Sequence, residues 1–335
     1  MRIAVVGAGA IGGYLGARLA AAGEEVTFVA RGANLAAIRA DGMRLIGEDG
    51  VEVRSIGARA VEKPAEAGAQ DTVLLTVKAH QVAAVAPELR HLCHADTAIV
   101  TMQNGIPWWY FHKHGGRYEG TPVRSADPDG SIGRDIDPAR IVGSVVYPAA
   151  NLIAPGVVQL VEGNRFTLGE PDGSTSARVQ AISASLTKAG FKAPVIPDIR
   201  SEIWLKLWGN LSFNPISALT HATLVEICRF PLTRDLAAQM MREAEAIANK
   251  LGVTFRMPIE RRIAGAEKVG AHKTSMLQDV EQGRPIEIEA LLGSVVELGA
   301  LTGTPTPHIS AVYACAGLLA QTLNAAHARL SIQQG

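Results

Sequence analysis

Apolar residues in this chain follow two rhythms. In the first half they cluster in short runs, at Ile3–Val6, Val26–Val29, Thr72–Val77 and Ala98–Met102. Runs of this kind, rich in β-branched residues and bounded by glycine or polar residues, predict strands buried on both faces. Ile11–Ala22, after the first run, repeats at helical spacing, and a shorter helical stretch begins at Val82 and meets Pro87, which interrupts a helical ladder. Strands and helices in alternation predict an α/β fold with a doubly wound parallel sheet. Ile141–Tyr147, Val157–Leu160 and Arg165–Leu168 are expected to extend the edge of that sheet. Thr175–Ala189 reads as a helix and Ala193–Ile196 as a last strand.

The second rhythm starts after Pro197. Glu202–Leu211, Arg234–Leu251, Ile259–Glu267, Pro285–Thr302 and His308–Ala325 carry apolar residues at helical spacing, punctuated by Pro215, Pro231, Pro258, Pro305 and Pro307. Two domains are therefore expected, 1–197 with the sheet and 198–330 all-helical. The cleft between two such domains is the default place for a substrate. Pro107–Pro138 fits neither rhythm. It opens on Trp108, Trp109, Tyr110 and Phe111 and then runs through several glycines. A loop of this length is functional or disordered, or else its aromatics cap a sheet edge; the sequence leaves these readings open.

Directly after the first strand comes Gly7-Ala8-Gly9-Ala10-Ile11-Gly12. A G-x-G-x-x-G loop between a strand and a helix is a dinucleotide fingerprint. Gly7 permits the tight turn, Gly9 lets a pyrophosphate approach the backbone, and Gly12 lets helix and strand pack. The helix N-terminus adds free N–H groups and a positive dipole end. The second strand ends at Arg31, where an NAD site usually places a carboxylate for the adenine ribose. A guanidinium there matches a 2′-phosphate in charge and geometry, so NADP is expected as cofactor.

Composition narrows the class. The 335 residues carry 32 Lys+Arg and 32 Asp+Glu, so nothing pulls the chain toward nucleic acid or an anionic membrane. Ile3–Ala22 is apolar apart from Arg18, but its glycines fit the fingerprint better than a signal segment, and no other stretch reads as a membrane span. Cys93, Cys228 and Cys315 are an odd, scattered set, which predicts a reducing, cytoplasmic setting. His91, Cys93 and His94 have no second ligand cluster to join, so no metal is expected.

Four polar segments are candidates for chemistry. Lys78 and Gln81 follow the third strand, and Asn104 follows the fourth; strand ends of this kind face the ligand crevice, although each could also be plain turn chemistry. Lys206, Asn210 and Asn214 recur every four residues and share a helix face. That face is either a set of donors for a polar substrate or a solvated surface. Ser275 could bond a carboxylate. Glu287 could accept from a hydroxyl or pair with a lysine, or, with Glu289, suit an exposed helix N-terminus.

The set GAGAIGG, Arg31, VKAHQ, QNG, IRSEIWLKLWGN, SMLQD and GRPIEIEALLG resembles the ketopantoate reductases (2-dehydropantoate 2-reductases) from Met1 to about Ala325. The resemblance implies a Rossmann domain joined to a helical domain like that of 6-phosphogluconate dehydrogenase, and NADPH-dependent reduction of the 2-dehydropantoate ketone in pantothenate biosynthesis. It implies Lys206 as proton donor and Glu287 as the partner of the substrate hydroxyl. Asn210, Asn214 and Ser275 would hold the substrate, Asn104 would orient the reacting end, and Lys78 and Gln81 would contact cofactor. The helical domain would also serve dimerisation, making a homodimer the assembly to test. The family commonly has E-I-D-Y, an apolar residue and Asn-Gly where this chain has Glu287-Ile288-Glu289-Ala290-Leu291-Leu292-Gly293. A different, bulkier 2-keto acid is therefore the alternative substrate, and a non-catalytic NADP-binding regulator the alternative of another class.

Overall fold

The computed structural model describes residues 1–326 and 328–331. The chain divides into two compact units. The first contains Met1–Gln103, Trp108–Pro122 and Asp127–Ile199, and the second contains Asn104–Pro107, Val123–Ala126 and Arg200 onward.

Eleven strands lie in the first unit: β1 Arg2–Val6, β2 Glu25–Val29, β3 Arg44–Ile46, β4 Glu52–Arg54, β5 Arg59–Val61, β6 Gln70–Leu75, β7 Cys93–Thr101, β8 Ile141–Val146, β9 Ala149–Ala154, β10 Val157–Glu162 and β11 Phe166–Gly169. The main sheet has the order β11-β8-β7-β6-β1-β2-β5. All its neighbours are parallel except β11 on β8. From β1 the chain moves first to β2 on one side and later to β6 on the other. Strand order therefore reverses at β1, and the carboxyl ends there form the crevice in which such sheets bind ligands. Over Ile3–Val6 and Thr72–Leu75 the central strands are buried on both faces, which is why these stretches are largely apolar.

Val157–Leu160 does not extend the main sheet. It belongs to β10 in a second sheet, ordered β4-β3-β10-β9. Val158 and Leu160 are buried while Gln159 and Val161 are exposed, the alternation of a sheet covered on one face only. That face meets the first helix, Ala10–Ala21: a Cβ on Gly13 would lie 2.6 Å from the Val158 side chain and 3.0 Å from that of Met43. Ala193–Ile196 is not a strand. It contributes one bridge, Leu168 to Val195. Trp109, Tyr110 and Phe111 are buried, and the Trp109 indole packs on Gly143 of β8 while its Nε1 donates to Thr101 Oγ1 at 2.9 Å. The aromatics at the start of 107–138 are thus part of the sheet's packing.

The second unit is helical. Its longest helix, Ile199–Thr220, runs straight through Pro215, although proline was expected to end a segment there. Leu211, Phe213, Ile216 and Ala218 on either side are buried, and their packing outweighs one missing ladder bond. Trp208 stacks on Phe255 with centroids 3.7 Å apart, and its Nε1 donates to the Met241 carbonyl at 3.0 Å. Of the expected helix Pro285–Thr302, the part from Ile288 on is helical without a break. A π turn at Glu289–Gly293 precedes the helix Ser294–Thr302. Ser275–Glu281 is an additional short helix capped by Thr274, whose hydroxyl accepts from the Leu277 N–H. The last helix, Pro307–Ala326, is long and apolar enough to cross a membrane by length and composition, against the expectation that no stretch beyond the first would read so. Apolar helices of soluble proteins meet the same criterion.

Candidate active site

The glycine loop joins β1 to the first helix at the strand-order reversal. Gly7 has φ +102°, a conformation that disfavours any Cβ, and an added Cβ would lie 2.7 Å from the Val77 side chain. At Gly12 a Cβ would sit 2.1 Å from the Gly7 carbonyl oxygen. At Gly9 it would meet nothing within 4 Å. The loop is therefore packed at its two ends and open in the middle. Gly9 is also the N-cap of the helix, whose first turn has no acidic side chain. Thr76 Oγ1 donates to the Gly7 carbonyl at 2.7 Å. Asn34 Nδ2 donates to the Ala8 carbonyl at 2.6 Å while its Oδ1 accepts from Gly156 N–H at 2.7 Å. Asn34 was not among the expected site residues; its position just after Arg31 was the only signal. The cradle suits a pyrophosphate: bare backbone, a helix N-terminus and open space.

Arg31 is exposed just past the end of β2, beside the strand that carries the glycine loop. Lys78 and Gln81 follow β6, the other neighbour of β1. Gln81 Oε1 accepts from the Lys78 backbone N–H at 3.2 Å, so this amide shapes the turn after the strand. Gln103, at the end of β7, donates through Nε2 to the Leu75 and Val77 carbonyls at 2.8 and 2.9 Å.

The remaining expected residues lie in the second unit. Lys206 Nζ donates to Asn104 Oδ1 at 2.7 Å, across 102 positions of sequence. Burial of the ammonium penalises its charged form and pulls the Lys206 pKa down from 10.5 to about 8, with the Glu287 carboxylate opposing the fall. Lysine, amide and carboxylate therefore share one neighbourhood. Asn210 follows one turn later on the same helix, partly exposed, and Asn214 follows a further turn on, almost fully buried. Asn214 Nδ2 reaches Ser275 Oγ at 3.5 Å, a long contact. Ser275 itself is exposed at the first turn of its helix.

Leu292 is fully buried in the core. Glu289 accepts from the Tyr313 hydroxyl at 2.7 and 2.9 Å. Ala290 is buried, and its carbonyl accepts from the Ile106 N–H at 3.0 Å.

An ammonium with a pKa near 8 is charged at neutral pH and yet gives up its proton more readily than an ordinary lysine. It can stabilise negative charge growing on a carbonyl oxygen and then protonate it. A neighbouring carboxylate and several amides can hold the hydroxyl and acid groups of a small polar substrate.

Residues 3–173 match the family model described as ketopantoate reductase PanE/ApbA, and residues 198–320 match its C-terminal model. A protein of Mesorhizobium japonicum named 2-dehydropantoate 2-reductase is 55% identical over 321 residues, covering 96% of this chain and 98% of its own. A crystal structure from Ralstonia solanacearum MolK2 assigned to the ketopantoate reductases superposes with a TM-score of 0.91 at 40% identity, covering 96% of this chain and 98% of the other. D-mandelate dehydrogenase, solved with NADH and anilino(oxo)acetate, shares the fold with a TM-score of 0.82 at 22% identity over 97% of this chain and all of its own. With its dinucleotide loop and its half-buried lysine on a helical unit, the chain belongs to the ketopantoate reductase PanE/ApbA family.

Proposed function

We propose that this protein reduces the ketone of 2-dehydropantoate with NADPH. The observation that carries the reading is the half-buried Lys206, hydrogen-bonded to Asn104 and close enough to Glu287 for that carboxylate to hold up its pKa. NADPH, when bound, supplies the hydride. The glycine loop takes its pyrophosphate, Arg31 its 2′-phosphate, and Lys78 and Gln81 lie along its path. Lys206 points its ammonium at the ketone oxygen and supplies the proton that completes the secondary alcohol. Asn104 fixes the direction of that ammonium. Glu287 accepts from the substrate hydroxyl, while Asn210, Asn214 and Ser275 hold its remaining polar groups.

Substrate choice is tested by comparing 2-dehydropantoate with the analogue that lacks only the hydroxyl. A carboxylate placed to accept from that hydroxyl should favour the natural compound in kcat/KM by tens-fold to roughly 10⁴. The preference should shrink in Glu287→Gln. A parent enzyme that prefers the deoxy analogue, or turns over neither, refutes the assignment. NADH is the competing cofactor, since D-mandelate dehydrogenase holds it on the same fold. Arg31 at the ribose end of β2 is what favours NADPH here.

A further inference from the structure

Asn104 reaches Lys206 from a short piece of chain, 104–107, that packs with the helical unit. What holds that piece is the π turn. In a continuous α-helix the Ser294 N–H would bond the Ala290 carbonyl, four residues back. Here it bonds the Glu289 carbonyl instead. The Ala290 carbonyl is met by two other donors, the Ile106 N–H at 3.0 Å and the Ser294 hydroxyl at 2.7 Å. Between Asn104 and Ile106 stands Gly105, with φ +90°. A Cβ there would lie 2.0 Å from the Ala290 oxygen and 2.5 Å from its carbonyl carbon. No side-chain rotation relieves a collision with backbone, so the docking requires glycine.

We propose that the π turn Glu289–Gly293 positions the proton donor: its Ala290 carbonyl anchors the 104–106 loop and thereby keeps Asn104 on Lys206, with Gly105 as the positioning residue. The proposal rests on Lys206 being that donor. A π turn shifts the helical ladder by one residue and releases a carbonyl for another partner, and such turns often occur at functional sites. The same segment brings Glu287 in just ahead of the turn, so one local irregularity sets the placement of two groups around the ammonium. Alanine stands where the family commonly has tyrosine, and its small side chain lies against Gly105: a Cβ added to Gly105 would be 3.1 Å from the Ala290 Cβ.

The test is a double-mutant cycle on kcat between Gly105→Ala and Asn104→Ala, with NADPH affinity and melting temperature recorded for each protein. Displacing Asn104 misorients the donor, and errors of about an ångström cost on the order of 10²-fold in rate. Gly105→Ala should lower kcat by roughly 10–100-fold with NADPH affinity little changed. Added to Asn104→Ala, it should cost almost nothing more, because the group it displaces is already gone. Full kcat in Gly105→Ala, or losses that multiply in the double variant, overturns the proposal. If Gly105→Ala does not fold, Ser294→Ala replaces it in the same cycle. That variant removes only the second donor to the Ala290 carbonyl, and it should lower kcat several-fold in the parent and not in Asn104→Ala. Unchanged kcat there overturns the proposal too. Lys206→Ala, measured alongside, separates the outcomes: retained turnover refutes the donor assignment itself, whereas lost turnover with multiplicative cycles refutes the positioning role alone.

Discussion

The pH dependence of turnover follows from the state of one ammonium. Lys206 must be charged to donate, and burial lowers its pKa to about 8. Keto acid reduction should therefore be level below that value and fall as pH rises through it. The protonated fractions one pH unit below and one unit above a pKa differ by about tenfold, so kcat/KM at pH 9 should be roughly a tenth of that at pH 7. A lysine at its ordinary 10.5 would leave the two rates nearly equal. Glu287 supplies a second handle. Its negative charge holds the Lys206 pKa up against desolvation, so Glu287→Gln should move the falling limb to lower pH, apart from any loss in the height of the plateau. The assay is steady-state consumption of NADPH at saturating cofactor, with kcat/KM for 2-dehydropantoate followed from pH 6 to 10. A plateau that extends to pH 10, or a limb that moves upward in Glu287→Gln, would refute the reasoning.

Other expectations follow from single contacts. Arg31→Ala should weaken NADPH by about 1.5–3 kcal/mol and NADH far less, as read by calorimetric titration of both; equal affinities in the parent would dismiss the phosphate role. Gly9→Ala should leave the melting temperature unchanged but weaken NADPH, because the new methyl enters open space where the pyrophosphate would lie. Gly12→Ala should lower the melting temperature itself, since its Cβ would meet the Gly7 carbonyl at 2.1 Å; the reverse pattern would mean that the loop is held differently. Lys206→Met should melt no lower than the parent at pH 7, because the fold disfavours the charged ammonium, as its lowered pKa shows. Between pH 8 and 10.5 the folded parent sheds the proton that its unfolded chain keeps, so its stability rises and the variant's advantage should shrink. A variant that melts well below the parent at pH 7 would show that the ammonium stabilises the fold.

The sequence by itself determined what depends on neighbours a few residues apart. Strand runs, the glycine loop that must bend where it does and the four-residue spacing of Lys206, Asn210 and Asn214 are all local, because backbone sterics and helical period act over one or two turns. The place of Arg31 just past the end of the second strand was legible for the same reason, because strand ends follow from local patterning. Tertiary structure decided what depends on partners far away. That Val157–Glu162 covers the first helix in a second sheet depends on Gly13 and Met43, more than a hundred residues earlier. That Pro215 stays inside a helix depends on the core around it, which outweighs a local preference. The same holds at the site. Lysine, amide and carboxylate at positions 206, 104 and 287 form no pattern along the chain, and a lysine's pKa cannot be read from its identity, because desolvation is a property of surroundings. The π turn is the clearest case. Nothing in Glu289–Gly293 alone signals a shifted ladder; the Ala290 carbonyl is met by an N–H that the fold returns to it from Ile106.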